Sequence, residues 1–281
     1  MNEIRFDGRV LLVTGAGRGL GAAYARAFAA RDASVVVHDA GVAPDGSGGD
    51  REPAESVVAE IARAGGTAAA TYDNLESESG CRSVVEFTLE RFGRLDAVIQ
   101  NAGLLQWEEL EIADRSWDRM RRVNVDAPFH ITRAALPAMK EQEYGRFVFT
   151  TSGRAMAVER TRPGLAAYAV GKMAHFALML VTAAEGREQG IHANAIAPAA
   201  ATRMLSRSVE PGELEPEQVV PGVVFLASER CTFSGEVLEA GGGDFSVARW
   251  TSSQDVSFGP VPVEPETIAE RWARIEGAVE A

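Results

Sequence analysis

The chain has 281 residues, of which 46% are hydrophobic and 24% charged, with a formal net charge of −12. That length buries a large core within one α/β domain, and the acidic balance disfavours nucleic acid as a partner, because phosphate contacts need a basic face. An anionic small substrate would need a local basic patch working against the overall field.

Residues 9–15 (RVLLVTG) form a first apolar run, predicting a strand that leads directly into TGAGRGLG at 14–21. Gly15, Gly17, Gly19 and Gly21, with Arg18 and Leu20 between them, allow a tight turn and close backbone approach. A helix is predicted over 20–30, with Leu20, Ala23, Tyr24, Ala27 and Phe28 on one stripe. Its free N-terminal amides and dipole would suit a pyrophosphate, although such glycines also serve plain βα turns. A second run, 34–40 (SVVVHDA), carries Asp39 at its end. Asp39 is placed to accept hydrogen bonds from adenine-ribose hydroxyls and to repel a 2′-phosphate, favouring NAD over NADP. Arg18 argues the other way, since a basic residue in the glycine loop can hold that phosphate.

A Gly-rich insertion at 41–50 follows, then runs at 67–74 (TAAATYDN) and 95–103 (LDAVIQNAG). Asp73 and Asn74 end the third run, and Asn101, Ala102 and Gly103 end the fourth. Asp73 is a candidate for the adenine amino group, and 101–103 for close backbone passage past the adenosine ribose. Each is explained as well by a strand-terminating turn. Helical patterns near 112–139 precede a run at 146–152 (RFVFTTS), and a helix over 168–185 is followed by runs at 191–198 (IHANAIAP) and 236–242 (EVLEAGG). Residues 206–216 read as a mobile loop, and the tail beyond Val247 is weakly patterned, with a helix predicted over 266–278.

Near-continuous apolar runs alternating with helices predict an α/β fold, a parallel, doubly wound sheet with helices on both faces. One domain is expected over 1–281, with a core at about 7–245 and a tail at 246–281. Cys81 and Cys231 form no CxxC pair and read as reduced thiols of a cytoplasmic protein. His38, His130, His175 and His192 show no metal-ligand spacing, so no metal is expected. The N-terminus has no signal-peptide layout, and no apolar run of membrane-spanning length is read, so no membrane partner is expected.

The chemistry concentrates in TSGRAMAVERTRPGLAAYAVGK at 151–172. Tyr168 and Lys172 are four apart, on one helix face. Moving a hydride to or from a carbonyl needs a partner proton transfer at the oxygen. A tyrosine with a reference pKa of about 10 is a poor base until nearby cations favour its phenolate.

TGAGRGLG, NAG at 101–103, Asn124 in RVNVDAPF, Ser152 in TTSG and YAVGK at 168–172 together resemble the short-chain dehydrogenase/reductase family. The resemblance covers about 7–245 and implies a single Rossmann domain with a seven-stranded parallel sheet, NAD or NADP as cofactor, and an Asn124, Ser152, Tyr168, Lys172 catalytic set. It implies Tyr168 as acid/base, Lys172 lowering its pKa and holding the nicotinamide ribose, Ser152 on the substrate oxygen and Asn124 anchoring a relay water. It also carries Pro198 and Thr202 past the nicotinamide carboxamide, and implies a homodimer or homotetramer. HDAG at 38–41, AATYDN at 69–74, IHANAIAPAAATRM at 191–204 and EVLEAGGG at 236–243 look most like the (3R)-hydroxyacyl-CoA dehydrogenase domain of the multifunctional β-oxidation enzyme. The expected activity is thus interconversion of a secondary alcohol and a ketone, with an acyl-CoA or other alcohol as substrate. A steroid or xenobiotic alcohol dehydrogenase is one alternative. A non-catalytic NAD-binding sensor is another, though a sensor would be expected to lose Tyr168 or Lys172.

The sequence departs from the family in one place. Ser152 lies 16 residues before Tyr168, a longer gap than the family's usual one. Either Ala155 fills the serine's position, or residues were inserted between Met156 and Leu165. The strand ending at Ser152 favours insertion, because strand ends face the crevice and a loop absorbs extra residues at small entropic cost. Thr151 is the fallback hydroxyl, worse placed because adjacent strand residues point to opposite faces. The loop at 158–164 would bring Arg160 and Arg162 to the substrate mouth, near Arg154, Arg203 and Arg207, where they could meet a CoA phosphate or simply be solvated.

Overall fold

The computed structural model describes residues 3–42, 48–112, 114–202, 210 and 212–277. Arg203, Arg207 and positions 206–209 and 211 of the loop expected at 206–216 lie outside these residues. Two compact units separate at Val247, Met1–Val247 and Ala248–Ala281.

In the first unit, β1 (Val10–Thr14), β2 (Ser34–His38), β3 (Thr67–Thr71), β4 (Ala97–Gln100), β5 (Gly145–Thr150), β6 (Ile191–Ala199) and β7 (Val237–Gly241) are the seven expected strands. The sheet order is β3-β2-β1-β4-β5-β6-β7, extended at one edge by β8 (Asp244–Ala248). The six pairings among β1 to β7 are parallel, with Leu12 level with Val36 and Val98. The chain reverses between β1 and β4, and this switch point opens the crevice above the strand ends. Every residue of β1, β4 and β5 is buried, as strands covered on both faces must be.

The eighth strand was not expected. Gly242 and Gly243, at φ 61° and 88°, supply the two left-handed residues of a tight hairpin, so β8 folds back on β7. Its residues are mostly exposed, and its short apolar alternation left too weak a pattern to separate it from the tail.

The crossovers are α1 (Gly19–Ala29), α2 (Glu52–Arg63), α3 (Glu78–Phe92), α4 (Asp114–Arg121), α5 (Ala127–Glu141), α6 (Gly153–Met156), α7 (Ala166–Gly186) and α8 (Val220–Leu226). A π-helical turn, Arg122–Asp126, joins α4 to α5, and a 3-10 turn, Arg187–Gln189, extends α7. The extended helix Ala166–Gln189, 24 residues with mean hydropathy 1.3, is long and apolar enough to cross a membrane by composition alone. This corrects the reading that no run reaches that length. In the fold this helix packs on β5 and β6, and its opposite face exposes Val170, Leu180 and Val181, so it is apolar on both sides. The second unit carries α9 (Pro265–Glu270) and α10 (Trp272–Ile275), two short helices where one was expected.

Candidate active site

The glycine loop is set by contacts that the motif alone does not reveal. Asp39 Oδ2 accepts from the Gly17 amide at 2.8 Å and Oδ1 from the Gly41 amide at 2.8 Å. A Cβ on Gly17 would lie 2.8 Å from both Asp39 Oδ2 and Pro53 Cβ, so only glycine fits there. Asn101 Nδ2 donates to the carbonyls of Thr14 (2.9 Å) and Gly15 (3.1 Å), tying the exit of β4 to that of β1. The Thr14 hydroxyl accepts from the Asn101 and Ala102 amides at 3.1 and 3.0 Å. His38, buried and held neutral by that burial, accepts from the Gly15 amide at 3.5 Å and donates to the Asp73 carbonyl at 2.8 Å. His38 and Thr14 are supports that the sequence reading missed; their position at strand ends beside the glycines was the available signal.

A cavity of about 370 Å³ lies over this loop. Its walls include Gly15, Arg18, Gly19, Leu20 and Gly21 from the loop, with Asp39, Asn74, Asn101, Ala102 and Gly103 from the strand ends. No side chain caps α1, so the orphan amides of its first turn are left to the cavity. Asp39 keeps acceptor capacity, because each carboxylate oxygen can take two hydrogen bonds. These residues fit a dinucleotide: bare glycine backbone at Gly15, Gly19 and Gly21 on the cavity wall, an uncapped helix start and an acid at the second strand's end. Gly17 does not line the cavity, its amide being taken by Asp39. Asp73 does not line it either; one of its carboxylate oxygens accepts from the Thr71 hydroxyl.

A second cavity, about 470 Å³, shares Leu20, Asn101, Gly103, Leu105 and Thr202 with the first. Ser152, Tyr168, Lys172 and Pro198 line it. Ser152 follows β5, is 8% exposed and caps α6, its Oγ accepting from the Arg154 amide at 3.3 Å. Its hydroxyl faces Tyr168 and favours the phenolate there. The extra residues form the loop that follows α6, which docks through the Glu108 amide on the Gly164 carbonyl at 3.0 Å. The strand-end serine therefore meets the tyrosine across the longer gap. Thr151 is spent elsewhere, donating to the Lys172 carbonyl at 2.8 Å.

Lys172 is 2% exposed, and burial pulls its ammonium down to about 8. Its Nζ lies 5.9 Å from the centroid of the Tyr168 ring and donates to no described residue. Burial raises the Tyr168 phenol, while the Ser152 hydroxyl and the Arg154 charge pull it back toward phenolate. Asn124 sits in the π-turn, 0% exposed and off the cavity walls. Its side chain accepts from the Leu104 amide (2.8 Å) and donates to the Leu104 carbonyl (2.9 Å), clamping the strand exit beside Lys172. A Cβ on Gly171 would come within 2.5 Å of Asn124 Cβ, so this glycine lets α7 press against the π-turn. That role was not visible in YAVGK.

The far wall is made by the unexpected hairpin. Glu239, Phe245 and Ser246 line the cavity, and Arg160 pairs with Glu239 across it. Arg162 is turned to the carbonyls of Glu159 and Thr161 at 3.2 and 2.7 Å. Arg154 lines the cavity, its guanidinium 5.9 Å from the Trp107 ring centroid. Among the described residues, no group of three His, Cys, Asp or Glu side chains is placed to hold a metal. Cys81 and Cys231 are both buried and free.

Comparison with known proteins agrees with this geometry. The chain is 41% identical over 281 residues to mouse peroxisomal multifunctional enzyme type 2, covering 98% of this chain but only 37% of the mouse protein. A short chain dehydrogenase from Mycobacterium avium, solved by crystallography, superposes with a TM-score of 0.84 at 35% identity, covering 98% of this chain and 97% of that one. A 7α-hydroxysteroid dehydrogenase, solved with NADH and 7-oxo glycochenodeoxycholic acid, gives a TM-score of 0.76 at 28% identity, covering 85% and 95%. The family model described as short chain dehydrogenase matches residues 9–213, and the chain belongs to that family of oxidoreductases acting on CH–OH groups.

Proposed function

We propose that the chain is an NAD-dependent dehydrogenase interconverting a secondary alcohol and a ketone, with a 3-hydroxyacyl thioester such as a 3-hydroxyacyl-CoA as substrate class. One observation carries the reading. Ser152, Tyr168 and a buried Lys172 with no acceptor among the described residues line a cavity continuous with an uncapped helix start and Asp39.

The bound nicotinamide supplies the hydride acceptor; the chain supplies everything at the oxygen. Ser152 donates to the substrate oxygen and orients it. Tyr168 takes the hydroxyl proton in oxidation and returns it in reduction. Lys172 offers three donors to the ribose hydroxyls, which compensates an ammonium otherwise buried with no acceptor among the described residues. Asn124 holds the backbone beside this lysine and positions the relay through the π-turn.

Asp39 supports NAD over NADP, because a 2′-phosphate beside its carboxylate would meet like charge. The likeness to a solved protein that holds NADH supports it too. The hydroxyacyl class is supported by the similarity to the mouse enzyme and to a peroxisomal hydratase-dehydrogenase-epimerase of Saccharomyces cerevisiae, 36% identical over 279 residues. A steroid alcohol is the second reading, supported by the steroid-bound neighbour. Exposed Phe129 on α5, with Val170, Leu180 and Val181 on α7, supports a homodimer or homotetramer through these helices. Two buried free thiols support a reducing compartment such as the cytoplasm.

Rates with NAD and with NADP on 3-hydroxyacyl-CoAs, hydroxysteroids and simple alcohols test the reading. The expected result is turnover with NAD, fastest on a hydroxyacyl thioester. Preference for a hydroxysteroid would move the substrate to the second reading, and failure on all three classes would overturn the proposal.

A further inference from the structure

The arginines near the substrate cavity have different fates. Arg160 is neutralised by Glu239, whose other oxygen accepts from the Ser246 hydroxyl at 3.4 Å. Arg162 is exposed and turned to backbone carbonyls. Arg154 is half-buried in the cavity wall and has no carboxylate partner among the described residues. What holds its guanidinium is the Trp107 ring at 5.9 Å, the outer limit of cation–π contact, a weak restraint that a better partner would displace.

Its position is specific. Arg154 is two residues beyond Ser152, in the turn that Ser152 caps, and its charge is felt at the Tyr168 hydroxyl. An anion meeting Arg154 therefore lies close to the reacting carbon. The cavity as a whole is also basic. Arg154, Arg160 and Lys172 face Glu239 and Asp244, so three cations against two carboxylates leave one positive charge in a chain of net charge −12. A half-buried cation without a counter-ion costs free energy, which an anionic ligand would return.

We propose that Arg154 receives a carboxylate-class anion carried on the substrate within two or three carbons of the oxidised carbon. The substrate is then a 3-hydroxy carboxylate, either as the free acid or as an acyl group bearing a second acid. A coenzyme A phosphate does not satisfy this geometry, because the whole pantetheine arm separates it from the reacting carbon. The inference rests on the dehydrogenase reading above and deepens it by naming the substrate's charge.

The test compares charged and neutral partners of the same shape. Acetoacetate and methyl acetoacetate are titrated calorimetrically into the NAD complex, where a ketone cannot turn over, of wild type, Arg154→Gln, Arg154→Lys and the exposed control Arg162→Gln. In parallel, kcat and KM are measured for 3-hydroxybutyrate, its methyl ester, and the N-acetylcysteamine thioesters of 3-hydroxybutyrate and 3-hydroxyglutarate. The expected result is tighter binding of acetoacetate than of its ester by wild type. Arg154→Gln should lose roughly 10- to 100-fold for the anion and change the ester little, as removal of a charge-assisted pair predicts. Arg154→Lys should retain part of the preference, and Arg162→Gln all of it. Preference for 3-hydroxybutyrate over its ester assigns the free acid; preference for the hydroxyglutaryl thioester over the hydroxybutyryl one assigns the acid-bearing acyl group. Equal binding of both ketones by wild type, binding of neither, or an equal loss for both in Arg154→Gln would overturn the proposal. Absence of NAD-dependent turnover by wild type on every hydroxy substrate would instead sink the dehydrogenase reading while leaving the binding result to stand or fall alone.

Discussion

Lys172→Met should make the cofactor-free protein more stable while removing its activity. The lysine is 2% exposed with no described hydrogen-bond acceptor, and burial lowers its ammonium from the ordinary 10.5 to about 8. That displacement corresponds to about 3 kcal/mol of cost for keeping the group charged in the fold. The folded chain binds this proton more weakly than the unfolded chain does. Below about pH 8 both states are protonated and the whole cost is present. Between about pH 8 and 10.5 the folded state loses its proton first, so wild type gains stability as pH rises through that window. Methionine keeps the length and apolar stem of the side chain without the charge. Urea unfolding at pH 7 should therefore find the variant up to about 3 kcal/mol more stable than wild type, with the gap narrowing toward pH 10.5. Added NADH should stabilise wild type more than the variant, because the ribose contacts are lost. A variant no more stable than wild type at pH 7, or a gap that does not narrow, would refute the reasoning that Lys172 is strained until cofactor binds.

Three further outcomes follow from the same contacts. Asp39→Ala should raise kcat/KM with NADP relative to NAD by at least tenfold, and should cost about 1–3 kcal/mol of stability by orphaning the amides of Gly17 and Gly41. Gly17→Ala places a Cβ 2.8 Å from Asp39 and Pro53, so fluorescence titration should show NADH affinity falling well over tenfold as the loop shifts. Val181→Asp puts a charge on the exposed apolar face of α7, and sedimentation should show a smaller assembly than wild type.

Much of this was legible in sequence because it depends on local pattern. The strands announced themselves as apolar runs, but their ends were set too late. The run 95–103 yields only Ala97–Gln100 as strand, since Asn101 to Gly103 leave the sheet to line the crevice. The serine's position followed from strand geometry, which an insertion in the next loop does not disturb. What sequence did not reveal was decided by residues far apart in the chain. Arg160 meets Glu239 across 79 positions, and Asn124 reaches Leu104 across 20, so no local window contains either pair. Asp73 was singled out by its position at a strand end; that the Thr71 hydroxyl donates to its carboxylate needed the structure. The hairpin of β7 and β8 closed the substrate cavity from a stretch read as the start of a tail.

The most direct test of the account is the pH dependence of kcat for alcohol oxidation by wild type, Tyr168→Phe and Ser152→Ala, with NAD saturating. If Tyr168 carries the proton at the reacting oxygen, wild type should lose rate as pH falls through the tyrosine's titration, Tyr168→Phe should lose about 10²–10⁴-fold and that acid limb with it, and Ser152→Ala should be slower with the limb moved to higher pH, because the hydroxyl that favours the phenolate is gone. A Tyr168→Phe enzyme that keeps both its rate and its acid limb would contradict the account.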